Sequence, residues 1–137
     1  MLEMVDAGRK VSKEEYDKEV ENLRPALLDL QQKLRERKDI AVAIQLSGAD
    51  GAGKSETMQL LTSWLDPRGV EVNAFGPDTE SMGRPPFYRF WMHLPPKGKM
   101  GIFFGSWYTH PIVDKALGNI KKSHFMLELE KINTFER

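Results

Sequence analysis

Residues 48–55 read Gly-Ala-Asp-Gly-Ala-Gly-Lys-Ser, the pattern G-x-x-x-x-G-K-S with every fixed position filled. The chemistry available to such a run is the binding of a polyphosphate anion. Its glycines let successive backbone N–H groups turn inward as an anion-binding concavity, and a helix starting at its end adds partial positive charge. Gly51 and Gly53 can take backbone angles that a Cβ would forbid. Lys54 would reach the bridging and terminal phosphates, and the Ser55 hydroxyl would bind Mg²⁺. Gly48, Gly51, Ala52, Gly53, Lys54 and Ser55 form the expected phosphate-binding set. Nothing in the loop alone chooses between ATP, GTP and another polyphosphate.

A loop of this kind works between a strand and a helix. Ile40–Ser47 is a continuous apolar run rich in Ile and Val, which suits a parallel strand buried on both faces. Ser55–Leu65 has helix character, and Asp66-Pro67-Arg68-Gly69 is a stop-and-turn cluster. A second strand is predicted near 70–75, from Val70, Val72 and Ala74, followed by a loop at Gly76–Thr79. Pro85-Pro86 opens a helical stretch, Phe87–Leu94, and Pro95-Pro96-Lys97-Gly98 ends it. Met100–Phe104 is the third strand. Two further helices are predicted, Tyr108–Lys121, in which Pro111 suits only the first turn, and Ser123–Arg137, with Phe125, Leu129 and Ile132 on one face.

Upstream, Ser12-Lys13-Glu14-Glu15 is a capping box. Apolar residues at Tyr16, Val20, Leu23, Leu27, Leu30 and Leu34 then mark one face of a helix running to about Lys38. That stripe either packs on its own domain or forms a coiled-coil or dimer seam. Pro25 inside it costs about 3 kcal/mol or kinks the helix, unless the helix restarts there. Residues 1–11 form a tail ahead of a domain spanning 12–137.

Composition narrows the function classes. The chain has 137 residues, so one domain at most. Lys+Arg and Asp+Glu both number 20, so no global charge argues for nucleic acid or an anionic membrane as partner. There is no cysteine, which excludes disulfides, thiolate metal sites and cysteine nucleophiles. No apolar stretch approaches the length of a membrane span, and the N-terminus lacks the apolar core of a secretory signal. A cytoplasmic location is expected. His93, His110 and His124 show no metal-ligand spacing. Trp91, Trp107 and Tyr108 are expected in the core, and Lys97, Lys99, Lys121 and Lys122 on the solvated surface rather than along a polyanion track.

Three strings together carry a resemblance: GADGAGKS at 48–55, WLDPRGVEV at 64–72 and RFWMHLPPKGKMGIFFGSWY at 89–108. In this order and spacing they resemble the polyphosphate kinase type 2 family, over roughly residues 12–137. The helical N-terminus and Pro85-Pro86 bring the chain nearer to the N-terminal half of the family's two-domain members, which are polyphosphate:AMP phosphotransferases. The resemblance implies an α/β, three-layer P-loop kinase fold with a parallel sheet, here truncated after three strands and without its helical lid. It implies transfer of a terminal phosphoryl group from inorganic polyphosphate to AMP or ADP, assisted by Mg²⁺. It makes Asp50 a catalytic and metal-holding residue beside Lys54 and Ser55, because a carboxylate at a phosphate cradle is unfavourable without a bound cation. It also matches Arg89 to a position that could face the acceptor.

The family's active members end the third strand in an Asp-Arg pair just before Ser-Trp-Tyr. Here those positions are Phe104 and Gly105. Phenylalanine cannot bind Mg²⁺ and glycine supplies no charge. Two readings follow: a polyphosphate-dependent nucleotide kinase using Asp50, Lys54 and Ser55, or a non-catalytic half that keeps the fold and phosphate affinity. Phe104→Asp with Gly105→Arg is expected to rescue some activity within a full-length protein whose own C-terminal half is disabled, if the rest of the site is preserved. The strand carrying the loop should lie at an open, apolar edge, so the partner expected is a covalently following second kinase half or another copy of the chain. The third strand is expected between the first and the second, all parallel.

Overall fold

The computed structural model describes residues 10–76 and 84–137. The predicted tail up to Arg9, and the predicted loop beyond Gly76, lie outside the described residues. Eight elements follow one another: α1 (Lys13–Arg37), β1 (Val42–Leu46), α2 (Lys54–Trp64), β2 (Val70–Ala74), α3 (Tyr88–Trp91), β3 (Met100–Phe104), α4 (Thr109–Ala116) and α5 (Lys122–Glu136).

The sheet has the order β1-β3-β2, and both pairings are parallel. The strand latest in sequence is therefore the central one, as expected. It is an apolar run, and all its residues but Phe104 are buried. Side chains alternate between its faces. Met100 and Ile102 face one core with Leu34 of α1 and Leu65 at the end of α2, joined by Val42, Ile44, Leu46 and Val70. Phe103 faces a second core with Phe90 of α3, Trp107 and Ile132 of α5. Helices thus cover both faces of the sheet, giving three layers.

Two predicted elements are shorter than their sequence pattern. The helix expected over Phe87–Leu94 is the single turn α3, because Phe87 itself sits at φ 62, outside the helical region. The helix expected over Tyr108–Lys121 stops at Ala116, where Gly118 at φ 75 and a bond from the Asn119 N–H to the Asp114 carbonyl turn the chain. Pro111 falls in the first turn of α4, where its missing N–H removes no intrahelical bond. The strand predicted from Ile40 to Ser47 holds only at Val42–Leu46 and is half-buried rather than enclosed, since nothing among the described residues pairs with its outer edge. Trp91 is 62% exposed and so stands outside the core expected for it, whereas Trp107 is buried.

α1 begins as the capping box requires: the Glu15 N–H donates to the Ser12 hydroxyl at 3.1 Å. It passes through Pro25 without restarting. Only its C-terminal half packs on the domain, where Gln31 and Leu34 are buried, while Leu23 is 52% and Leu30 59% exposed. Gln31 is the fastener. Its amide nitrogen donates to the Asp66 carbonyl at 2.9 Å, and its amide oxygen accepts from the Asp66 N–H at 2.7 Å. The Asp66 carboxylate in turn accepts from the Arg68 side chain and N–H, with Arg35 of α1 at 3.4 Å. Those bonds from Arg68 hold the Asp66 carboxyl well below its usual range. Among the described residues no helix is long and apolar enough to cross a membrane.

Two outcomes follow for this joint. Gln31→Ala leaves the Asp66 N–H without its partner, while the Asp66 carbonyl keeps the Gly69 N–H at 3.0 Å, and should cost about 1–3 kcal/mol of unfolding free energy, read by urea denaturation. Because the folded-state pKa of Asp66 is depressed, its contribution is present above the unfolded value of about 3.9 and is lost as pH falls below it. Asp66→Asn should therefore lower stability at neutral pH and flatten the acid limb of a plot of Tm against pH.

Candidate functional site

The carboxyl ends of β1, β2 and β3 lie along one edge of the sheet, the edge where open α/β folds bind ligands. The loop Gly48–Ser55 leaves that edge after β1 and feeds α2. Gly51 at φ 78 and Gly53 at φ 80 occupy left-handed backbone, and Gly53 is the residue before the helix. These turns let the loop double back while the first N–H groups of α2 have no intrahelical acceptors. Asp50, Gly51, Ala52, Gly53, Lys54 and Ser55 line an open cavity of about 350 Å³, together with Glu56 and Phe104. Gly48 contributes its carbonyl rather than a wall.

Lys54 is folded over the loop. Its ammonium donates to the carbonyls of Gly48 at 2.8 Å and Ala49 at 2.7 Å, and lies 3.9 Å from the Asp50 carboxylate. Two of its three N–H donors are thus held by the loop itself. The Asp50 side chain is fully exposed. The Thr57 hydroxyl donates to the Gly53 carbonyl at 2.9 Å, tying the first turn of α2 to the loop. Sequence reasoning did not single out Glu56, although a carboxylate one residue after the loop necessarily stands near whatever the loop holds.

Phe104 is the last residue of β3, in register with Leu46 before the loop and with Ala74. That register brings the third strand's end to the phosphate cradle, as the expected pairing required. In phosphate-loop sites the divalent ion is held by the loop hydroxyl and a carboxylate at such a strand end. Here that strand end carries the benzyl ring of Phe104. Among the described residues no group of three or more His, Asp or Glu could hold a metal ion. Ser55 and Asp50 are the donors that sequence points to, and alone they do not make a cage for a resident ion.

Gly105 is required by the backbone at this position. Its φ is 102, and a Cβ placed there would lie 2.7 Å from the Phe75 carbonyl oxygen. The Phe75 N–H donates to the Phe104 carbonyl at 2.8 Å, and the Gly105 N–H donates to the Leu46 carbonyl at 3.2 Å, so the chain on both sides is pinned. Any side chain at 105 therefore requires Phe75 to move.

Arg89 does not join the cavity. Its guanidinium donates to the Gly76 carbonyl at 2.9 Å and lies over the rings of Phe75 and Phe90, at 5.3 and 5.4 Å. It sits at the end of β2, on the same edge of the sheet. Lys97 and Lys99 precede β3 and so lie at the opposite end from the cradle, with Lys99 3.5 Å from Glu71. Beyond β3, the Ser106 hydroxyl donates to the Gln45 amide oxygen at 2.6 Å, and Trp107 and Tyr108 both donate to Glu136 at 2.9 Å. Burial and the Glu136 carboxylate raise the Tyr108 pKa. No local pattern in the sequence marks Gln45 or Glu136, whose partners are remote along the chain.

The comparisons with known proteins agree with this geometry. The sequence pattern of the polyphosphate kinase 2 (PPK2) family matches residues 10–137. A polyphosphate:AMP phosphotransferase of Pseudomonas aeruginosa is 42% identical over 138 residues, which is 100% of this chain and 28% of that protein. A GDP-polyphosphate phosphotransferase of Mycobacterium tuberculosis is 32% identical over 130 residues, 94% of this chain and 44% of that protein. A crystal structure of a polyphosphate kinase 2 protein from Pseudomonas aeruginosa PA01 superposes with a TM-score of 0.87 at 42% identity, covering 100% of this chain and 30% of that one. The chain therefore spans less than a third of the length of the first of these relatives.

The geometry at Gly105 gives an expected outcome. Gly105→Ala should destabilise the domain by about 1–3 kcal/mol, and Gly105→Arg by at least as much, through left-handed backbone and the clash with Phe75. A wild-type midpoint in denaturant for Gly105→Arg would show instead that this junction reshapes freely.

Proposed function

The chain belongs to the polyphosphate kinase 2 family, and on that premise we propose that it is the polyphosphate-binding part of a cytoplasmic phosphotransferase that passes phosphoryl groups from inorganic polyphosphate to AMP or ADP. The substrate class is supported by the relatives, whose names join polyphosphate to AMP or GDP. In this reading the N–H groups of the loop and of the first turn of α2 receive terminal phosphates. Lys54 transfers donors from its two carbonyl partners to the anion and neutralises part of its charge. Arg89 is the proposed contact to the acceptor; it would have to leave the Gly76 carbonyl to make it.

Phosphoryl transfer in this family uses a divalent metal. Mg²⁺ is the ion proposed for the transfer step, where it would supply charge neutralisation; in this domain Asp50 and Ser55 are the residues that would offer it oxygens, and alone they do not fit it as a resident ion. Since that set lacks the strand-end carboxylate, no step is assigned to the ion here. The single observation that carries the functional reading is Phe104 in the floor of an intact phosphate loop. It supports a domain that binds the phosphoryl donor and, by itself, does not transfer. Transfer would then belong to a second kinase half covalently following this one; another copy of the chain remains a proposed partner, not the catalyst.

Two measurements test this. Residues 1–137 incubated with defined polyphosphate, Mg²⁺ and AMP or ADP should form no phosphorylated nucleotide above background, since catalysis of this kind is nearly all electrostatic and positional. Robust turnover would overturn the non-catalytic reading and leave the enzyme reading for this domain alone. Tripolyphosphate should bind by calorimetry, and Lys54→Ala should weaken it about tenfold or more, the scale of a lost charged hydrogen bond.

A further inference from the structure

Three ionisable side chains line the phosphate cradle: Lys54, Asp50 and Glu56. A divalent ion bridging phosphates in such a site is fixed between the loop hydroxyl and a carboxylate at the neighbouring strand's end. Ser55 is that hydroxyl. The strand-end position is Phe104, held opposite Leu46 by the parallel register and lining the cradle itself. Asp50 is fully exposed, 3.9 Å from the Lys54 ammonium, so its charge already has a cation beside it. Mg²⁺ demands near-octahedral oxygen coordination and gives up water reluctantly. One hydroxyl and two exposed carboxylates, Asp50 and Glu56, with no group of three acidic or histidine ligands among the described residues, do not fit it as a resident ion.

We infer that the cradle binds an unbranched inorganic polyphosphate chain through its backbone N–H groups and Lys54, with no divalent ion held by the protein. This rests on the phosphate-binding reading above. Asp50 and Glu56 are then like charges that an arriving anion meets, and because both are exposed, water and salt screen them. The role of Asp50 inverts. In a metal-holding site Asp50→Asn removes a ligand of the ion and weakens phosphate binding. In a metal-independent cradle the same substitution removes a repelling charge and frees Lys54 from a competitor, so binding holds or tightens. Aromatic Phe104 and pinned Gly105 keep the site in this state, since neither position offers a carboxylate or a cation to the ligand.

The experiment is calorimetric titration of the 137-residue chain with tripolyphosphate, in Mg²⁺ and in EDTA at matched ionic strength. Affinities in the two buffers should differ by less than about fivefold, and Asp50→Asn should bind at least as tightly as wild type in both. Phe104→Asp should make binding depend on Mg²⁺; if that variant does not fold, the buffer comparison and Asp50→Asn still decide. ADP, which carries two phosphates on a nucleoside, should bind more weakly than tripolyphosphate, and tighter binding would overturn the inorganic chain as ligand. Tightening of wild type by Mg²⁺ of about fivefold or more, or weakening by Asp50→Asn, would overturn metal independence while leaving the phosphate-binding reading intact. Absence of binding in both buffers, or binding indifferent to Lys54→Ala, would overturn that reading and this inference together.

Discussion

The register of β3 between two parallel neighbours is the constraint from which the rest of the structure follows. Leu46, Phe104 and Ala74 end their strands side by side. That alignment puts the phosphate loop, the turn at Gly105 and the Phe75–Arg89 cluster along a single edge. It also decides which side chains face which core. Ile102 looks toward α1 and α2, and Phe103 toward α3 and α5, each wholly buried. A slip of one residue would exchange those two faces and carry Phe104 away from the loop.

Within that frame the cradle is governed by charge rather than by shape. The loop offers backbone N–H groups, a helix terminus and one lysine, and its own carbonyls hold that lysine in place. In the proposed binding a phosphate would compete with two neutral acceptors, and it would be favoured because an ammonium–anion hydrogen bond is roughly twice as strong as a neutral one. The strand end beside the cradle carries Phe104 and no carboxylate. At the next residue, Gly105 allows β3 to approach the Phe75 carbonyl more closely than any side chain would permit.

Away from the cradle, packing is uneven. The C-terminal half of α1 is fastened through Gln31 to the backbone of Asp66, and its N-terminal half leaves apolar side chains in water. On α2 no residue is buried, and β1 presents an unpaired outer edge among the described residues. That side of the domain also carries the loop Gly48–Ser55. An apolar edge of this kind favours association unless it is covered.

Much of this was legible along the chain. The loop is local chemistry, because eight consecutive residues define it and their neighbours must be strand and helix. The Ser12 cap and the α5 face were legible for similar reasons, since each rests on short-range spacing; the central position of β3 came from the strand order that the resemblance implies, because the apolar run of β1 asks for burial as strongly. The ends of α3 and α4 were not, because a positive φ at Phe87 and a turn at Gly118 override propensity. The shared face of Gln45 and Ser106, the clamp of Trp107 and Tyr108 on Glu136, and the place of Arg89 on Phe75 and Gly76 join residues far apart in sequence. Nothing in local pattern encodes such pairs. Sequence determined that Phe104 and Gly105 stand where a metal-binding acid and a cation would be expected from the resemblance. Only the tertiary structure decided what that means physically. The strand register aims Phe104 into the cradle, and the Phe75 carbonyl leaves no room for a side chain at Gly105.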